Sequence, residues 1–134
     1  SRGLGDVYKR QEAEQRWGDT PEWAQSQEKL AQMGEGDFKR LQEEQDALAA
    51  DLIAARDSGV EPGSGEAEAL VERHRASIAQ WYEATPARQL ILARMYVGDA
   101  RFHEAYGGAQ DYLLELVTAH AAAEGVDVDN PQWG

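Results

Sequence analysis

A chain of 134 residues is long enough to form one domain with a hydrophobic core. Its 13 basic and 25 acidic residues give a formal charge of −12, which repels phosphate and argues against direct contact with nucleic acid. Cysteine is absent, which excludes disulfides and thiolate chemistry. No apolar run approaches the ~20 residues that cross a bilayer. We therefore expect a cytoplasmic protein without a membrane partner.

The first eleven residues, SRGLGDVYKRQ, resemble a translated sequencing adapter more than a protein segment. We exclude residues 1–11 from the fold as a non-native leader and expect the domain to span residues 12–125. If the leader is foreign, the native N-terminus is missing. An upstream DNA-binding region, and a dimer formed through it, would then be missing as well.

Two helices are predicted near the start of the domain. The first is short and runs from about Glu12 to Trp17. Thr20 then offers an oxygen to cap a helix, and Pro21 stands at the first helical position, where its missing N–H has no cost. This pair predicts a second helix that reaches about Gln32.

The most regular helical pattern follows a break at residues 34–36 and ends at Gly59. The residues on one face recur every three or four positions, at Phe38, Leu41, Gln45, Leu48, Leu52 and Ala55. We interpret this whole stripe as core.

A loop rich in glycine, proline and serine spans residues 58–65. Ser64 then caps a predicted helix that runs to about Glu83. Thr85 and Pro86 repeat the cap-then-proline signal and begin another helix, which Gly98 ends.

A short helix is predicted from Asp99 to about Tyr106, and a last helix ends at Gly125. The tail over residues 126–134 is predicted to be flexible. No sustained alternation of period two occurs anywhere in the chain, so strands are not expected. The fold class is therefore all-α.

The sequence shows no pattern of catalysis, which requires a nucleophile beside a base or convergent acids with shifted pKa values. The histidines also lack the i, i+4 spacing and the nearby carboxylate of a helical metal motif. We therefore expect neither an enzyme nor a metal or cofactor.

Three clusters combine aromatic and charged side chains in a way that helix packing does not require. They are residues 16–23, with two tryptophans; residues 74–82, with a His-Arg pair followed by Trp-Tyr; and residues 95–102, with two aromatics and an arginine at the joint of two helices. Aromatic side chains with polar tips at such a joint favour a ligand pocket. Core packing is the alternative.

Individual residues of these clusters have two interpretations. His74 lies on the apolar face of its helix and needs a hydrogen-bond partner there, so a core histidine is favoured over a ligand contact. Trp17 and Trp23 either attach the first helices to the core or close over a flat ligand. The residues alone do not separate these two roles.

In this order and at these separations, the clusters resemble the TipAS-type antibiotic-recognition domain, the effector-binding module at the C-terminus of some MerR-family regulators. The resemblance spans about Glu12 to Ala123. It implies a globin-like bundle of about six to seven helices around a ligand cleft, with N-terminal helices that order on the ligand. The cleft that it implies lies among Trp17, Trp23, His74, Trp81, Tyr82, Tyr96, Arg101 and Phe102.

The resemblance also implies a ligand class. Some family members capture thiopeptide dehydroamino acids with a cysteine shortly after the Trp-Tyr pair, where this chain reads Glu83-Ala84-Thr85. We therefore expect reversible binding of bulky hydrophobic or aromatic antibiotics, by the effector domain of a MerR-type activator or by a free-standing sequestering protein that confers drug resistance. The alternative is an all-α protein–protein interaction module without a small-molecule ligand. An aromatic cavity favours the first function, and an exposed flat patch favours the second.

Overall fold

The computed structural model of this protein describes residues 20–134. The leader, Trp17 and the helix predicted from Glu12 lie outside the described residues. Within this range the chain forms six α-helices and no strand, which confirms the all-α class. The helices are α1 (Pro21–Ala31), α2 (Glu35–Asp57), α3 (Gly65–Ala79), α4 (Pro86–Val97), α5 (Ala100–Ala105) and α6 (Gln110–Ala123). None of these helices is both long enough and apolar enough to cross a membrane.

Three helices begin at predicted caps that carry a hydroxyl group. In each of them a hydroxyl oxygen accepts a hydrogen bond of 3.2 Å from the backbone N–H three residues later: Thr20 from Trp23, Ser64 from Ala67 and Thr85 from Arg88. Each bond satisfies an amide that has no partner within the helix. The cap-then-proline signals therefore set the starts of α1 and α4 correctly.

The core lies where α4 packs against α6, with α3 and the C-terminal half of α2 around them. Leu52, Leu90, Leu113 and Leu116 are completely buried there. These side chains come from three different helices. The bundle is therefore held together by contacts between residues that are far apart in the sequence.

The interpretation of the α2 stripe as core is wrong for its N-terminal end. No residue before Leu48 is buried in α2, and the Phe38 side chain is 45% exposed. The reason is length: at about 1.5 Å per residue the helix is about 35 Å long, whereas α6 is only about 21 Å long. The first half of α2 extends past the core and forms a wall of the cleft described below.

Helix α3 ends at Ala79 and not near Glu83 as predicted. The chain turns at Trp81 and Tyr82, and Thr85 adopts an extended conformation before Pro86. A residue that precedes proline disfavours the helical conformation. Because α3 ends early, residues 80–84 are free to connect it to the cap of α4 at Thr85.

The C-terminal segment (residues 126–133) packs back on the bundle. Val126, Val128 and Trp133 contact the core, and the Trp133 ring lies 5.8 Å from the ring of Tyr82. The acidic residues and the Asn-Pro pair of this segment predict a flexible tail. The contacts of its apolar side chains depend on partners that are far away in the sequence.

We expect Leu52→Ala to lower the free energy of unfolding by about 2 to 5 kcal/mol, because it removes a completely buried side chain. Phe38→Ala, on the same stripe, should cost less than ~1 kcal/mol because nearly half of that side chain already faces water. Urea denaturation followed by circular dichroism measures both values. Equal losses would contradict the division of the stripe into core and wall.

Candidate functional site

An open cleft of about 2130 Å³ lies between the N-terminal half of α2, the end of α3 and the joint between α4 and α5. Five of the eight residues that the sequence analysis proposed line it: Trp81, Tyr82, Tyr96, Arg101 and Phe102. They come from three separate parts of the chain. The structure therefore brings together most of the second and third clusters.

Two of the other three proposed residues do not line this cleft, as far as the described residues define it. Trp23 is half-buried on α1, which contributes no residue to the lining. His74 is completely buried and lies behind Tyr96. Trp17 lies outside the described residues.

Tyr96 is packed between two aromatic rings of α5 and its C-terminal cap. Its ring centroid lies 4.4 Å from that of Phe102 and 5.2 Å from that of Tyr106, with interplanar angles of 30° and 26°. Phe102 and Tyr106 are four residues apart, which places them on one face of α5. This stack fixes the joint between α4 and α5 and forms the inner surface of the cleft.

His74 belongs to a hydrogen-bond chain in the core. The side-chain amide nitrogen of Gln89 donates to the carbonyl oxygen of Val71 at 3.0 Å and to Nδ1 of His74 at 2.9 Å. Because the amide supplies the proton, Nδ1 accepts it and the other ring nitrogen carries the hydrogen. That nitrogen, Nε2, lies 3.3 Å from the Tyr96 hydroxyl and donates to it.

The chain continues from Tyr96 to the wall of the cleft. The Tyr106 side chain interacts electrostatically with the Tyr96 hydroxyl and with the Gln45 side chain. The amide nitrogen of Gln45 donates to the carbonyl oxygen of Ala105 at 3.2 Å. Two polar groups of the lining, Gln45 and Tyr106, thus have partners on α4 or α5.

Burial keeps the titratable groups of this hydrogen-bond chain uncharged. Desolvation lowers the pKa of His74 to about 4 and raises the pKa of Tyr96 well above its ordinary value. At neutral pH the imidazole is uncharged and the phenol keeps its proton. This part of the cleft therefore presents neutral hydrogen-bonding groups.

Arg101 stands at the edge of the cleft and is oriented by the cap of α5. Its Nε donates to the two carboxylate oxygens of Asp99 at 2.9 and 3.1 Å. One of these oxygens also accepts the Arg101 backbone N–H at 3.0 Å, as the cap of the helix. The guanidinium is therefore held in one orientation while its side chain stays 37% exposed.

The wall that α2 contributes was not among the predicted site residues. Phe38, Leu41 and Gln45 line the cleft, as does Tyr106 from the end of α5. The one signal in the sequence was Gln45, a polar residue in an otherwise apolar stripe. A half-buried glutamine needs partners that a stripe alone does not reveal.

The neutral state of His74 predicts a pH dependence of stability. Its pKa is lower in the folded protein than the ordinary value of 6.5, so between pH 6.5 and 4 the unfolded chain binds a proton that the folded protein does not. Stability should fall as the pH falls through this window, by up to about 3 kcal/mol at ~1.4 kcal/mol per pKa unit. Urea titrations of the wild type and His74→Gln between pH 4 and 7 measure this contribution. A wild-type slope in the variant would contradict it.

Comparison with known proteins places the chain in a family. The family model of the TipAS antibiotic-recognition domain matches residues 9–123. The HTH-type transcriptional activators TipA of Streptomyces coelicolor and Streptomyces lividans are each 34% identical over 121 residues, which cover 87% of this chain and 47% of the activator. The chain thus spans about half the length of these relatives.

A solved structure agrees with the sequence match. It shows TipAS from Streptomyces lividans, part of a thiopeptide antibiotic multidrug resistance system, in complex with nosiheptide. The two structures align with a TM-score of 0.77 and 32% identity over 89% of this chain and 86% of that one. With the family model matching residues 9–123, these findings show that the chain belongs to the TipAS antibiotic-recognition domain family.

Proposed function

We propose that this domain reversibly binds bulky, heterocycle-rich antibiotics of the thiopeptide type in the cleft between α2 and the α4–α5 joint. The observation that carries the proposal is the lining, which includes Phe38, Trp81, Tyr82, Tyr96, Phe102 and Tyr106. Pockets for drug-sized ligands occupy roughly 300 to 1,000 Å³. A cleft of about 2130 Å³ suits a larger molecule.

The lining also favours a ligand with little net charge. Five acidic and four basic side chains border the cleft, which leaves a formal charge of −1 where the whole chain carries −12. Phe38, Trp81 and Phe102 offer ring faces for stacking on planar heterocycles. Gln45 and Arg101 supply the polar contacts that orient such a ligand.

Binding without a covalent bond follows from composition. The chain contains no cysteine, so no thiolate is available to attack a dehydroamino acid. Lysine is the next candidate nucleophile, and its ordinary pKa of about 10.4 keeps it protonated at neutral pH. We therefore assign the domain a binding role and no catalytic step.

We further propose that the domain is the effector-sensing part of a MerR-type transcriptional activator in the cytoplasm, or a sequestering protein that lowers the free concentration of the drug. The relatives named as activators support the first role, and the named resistance system supports the second. In the first role, contact with DNA would come from a segment outside this domain, because the charge of −12 opposes phosphate binding.

Nosiheptide and related thiopeptides should quench the tryptophan fluorescence of the protein, because Trp81 lines the cleft. Phe38→Ala should weaken binding about tenfold, since it removes an exposed ring from the wall. Val97→Ala is the matched control: Val97 is exposed to a similar degree but lies outside the lining. Its affinity should equal that of the wild type.

Two outcomes would contradict the proposal. The first is a flat titration with every thiopeptide on protein that circular dichroism shows to be folded, which would favour the protein–protein interaction module. The second is an equal effect of Phe38→Ala and Val97→Ala, which would place the ligand outside the cleft.

Reversibility is tested separately by intact-mass spectrometry. After incubation with nosiheptide and denaturation, the protein should have its unmodified mass and the drug should be recovered unchanged, because the chain has no thiol. Glu83→Cys, at an exposed position shortly after the Trp-Tyr pair, gives a comparison in which a thiol is accessible. An adduct on the wild type would contradict reversible binding.

A further inference from the structure

The C-terminal segment lies beyond residues 9–123, the part of the chain that the family model matches. It contains no helix, yet Val126, Val128 and Trp133 pack against the core. Both aspartates of the segment are exposed. The segment therefore turns its apolar side chains towards the bundle and its charges towards water.

Two arginines of α4 bind the backbone of this segment. Nη2 of Arg94 donates to the carbonyl oxygen of Val128. Nε of Arg88 donates to the carbonyl oxygen of Trp133 at 2.8 Å. Hydrogen bonds from a charged donor are stronger than those between neutral groups. The segment is therefore attached to α4 at two points.

This attachment places the Trp133 ring beside a wall of the cleft. The ring centroid lies 5.3 Å from the guanidinium carbon of Arg88 and 5.8 Å from the ring centroid of Tyr82, which lines the cleft. The indole Nε1 is buried and has no hydrogen-bond partner among residues 20–134. The cation–π contact and the contact between the two rings therefore orient Trp133 without a hydrogen bond from the indole.

Tyr82 itself belongs to no helix. It follows the end of α3, where its N–H donates to the carbonyl oxygen of Ile78 at 3.4 Å. On the other side, the carbonyl oxygen of Glu83 accepts a hydrogen bond from Nη1 of Arg88 at 2.8 Å. The same guanidinium thus binds the backbone next to Tyr82 and the backbone of Trp133, whose ring packs on Tyr82.

We propose that Trp133 is a positioning residue of the antibiotic-binding cleft: its ring supports the Tyr82 side chain from outside the lining. Trp133 is not among the described residues that line the cleft, so it acts on a ligand through Tyr82. A side chain that is already held in place loses less conformational entropy when a ligand binds. The effect on affinity rests on the proposed antibiotic-binding function.

Calorimetric titration with nosiheptide measures the effect, because it does not depend on tryptophan fluorescence. Trp133→Ala should weaken binding about fivefold. Trp133→Phe should restore most of the affinity, since a phenyl ring can still pack on Tyr82 and no hydrogen bond of the indole is lost. Gln132→Ala, at the exposed neighbouring position, is the matched control and should bind as the wild type does.

A double-mutant cycle shows whether Trp133 acts through Tyr82. Tyr82→Ala should itself weaken binding, and adding Trp133→Ala should weaken it no further, because the side chain that Trp133 supports is gone. Additive losses would overturn the positioning role, as would wild-type affinity in Trp133→Ala. Circular dichroism shows whether each variant is folded. Trp133→Leu, which keeps an apolar side chain but no ring, replaces Trp133→Ala if the latter is not.

Nuclear magnetic resonance tests the support of Tyr82 in the ligand-free protein. The Tyr82 ring resonances should shift in Trp133→Ala and not in Gln132→Ala, because the indole ring lies 5.8 Å away. Unchanged resonances would overturn the contact. If the wild type binds no thiopeptide, the proposed function and the effect on affinity both fail, while these spectra still decide whether Trp133 supports Tyr82.

Discussion

The stacking of Tyr96 between Phe102 and Tyr106 is the contact on which the cleft depends. It fixes the angle at which α5 leaves α4, and the inner surface of the cleft is built from these rings. Tyr96 is also bonded to the buried His74, so its ring and hydroxyl are both held. A binding surface made of side chains that are immobilised by the core loses little conformational entropy when a ligand binds.

The second constraint is the difference in length between α2 and the rest of the bundle. The C-terminal half of α2 contributes Leu48, Leu52 and Ala55 to the core, and the N-terminal half extends past it. An apolar face that continues beyond its packing partners leaves apolar surface in contact with water. In this domain that surface is one wall of a cleft, opposite the aromatic side chains of the α4–α5 joint.

The distribution of charge also differs between the cleft and the rest of the chain. The chain as a whole is strongly acidic, while the charges around the cleft nearly cancel and its hydrogen-bond chain is neutral. The one strongly buried ion pair, among the described residues, joins α1 to α4 outside the cleft lining. Fixed charge thus serves to attach segments to the bundle, and the cleft itself offers aromatic faces and neutral polar groups.

Local signals in the sequence determined the all-α class, the starts of α1, α3 and α4, and the clusters that contain five cleft residues. Helix caps, prolines and the spacing of apolar residues act over a few positions, so they can be read from the chain directly. The same spacing could not show that Leu52 is buried and Phe38 is exposed. Both residues lie on one stripe, and only the neighbouring helices decide where the core ends.

Only the tertiary structure decided the roles of His74, Tyr106 and the C-terminal segment. The partners of His74 are 15 and 22 residues away, and Arg88 contacts Glu22 and Trp133 across 66 and 45 residues. The sequence identified His74 as a buried group that needs a partner but could not name Gln89 or Tyr96. Contacts between residues so far apart are set by how the helices pack, and no local pattern records that packing.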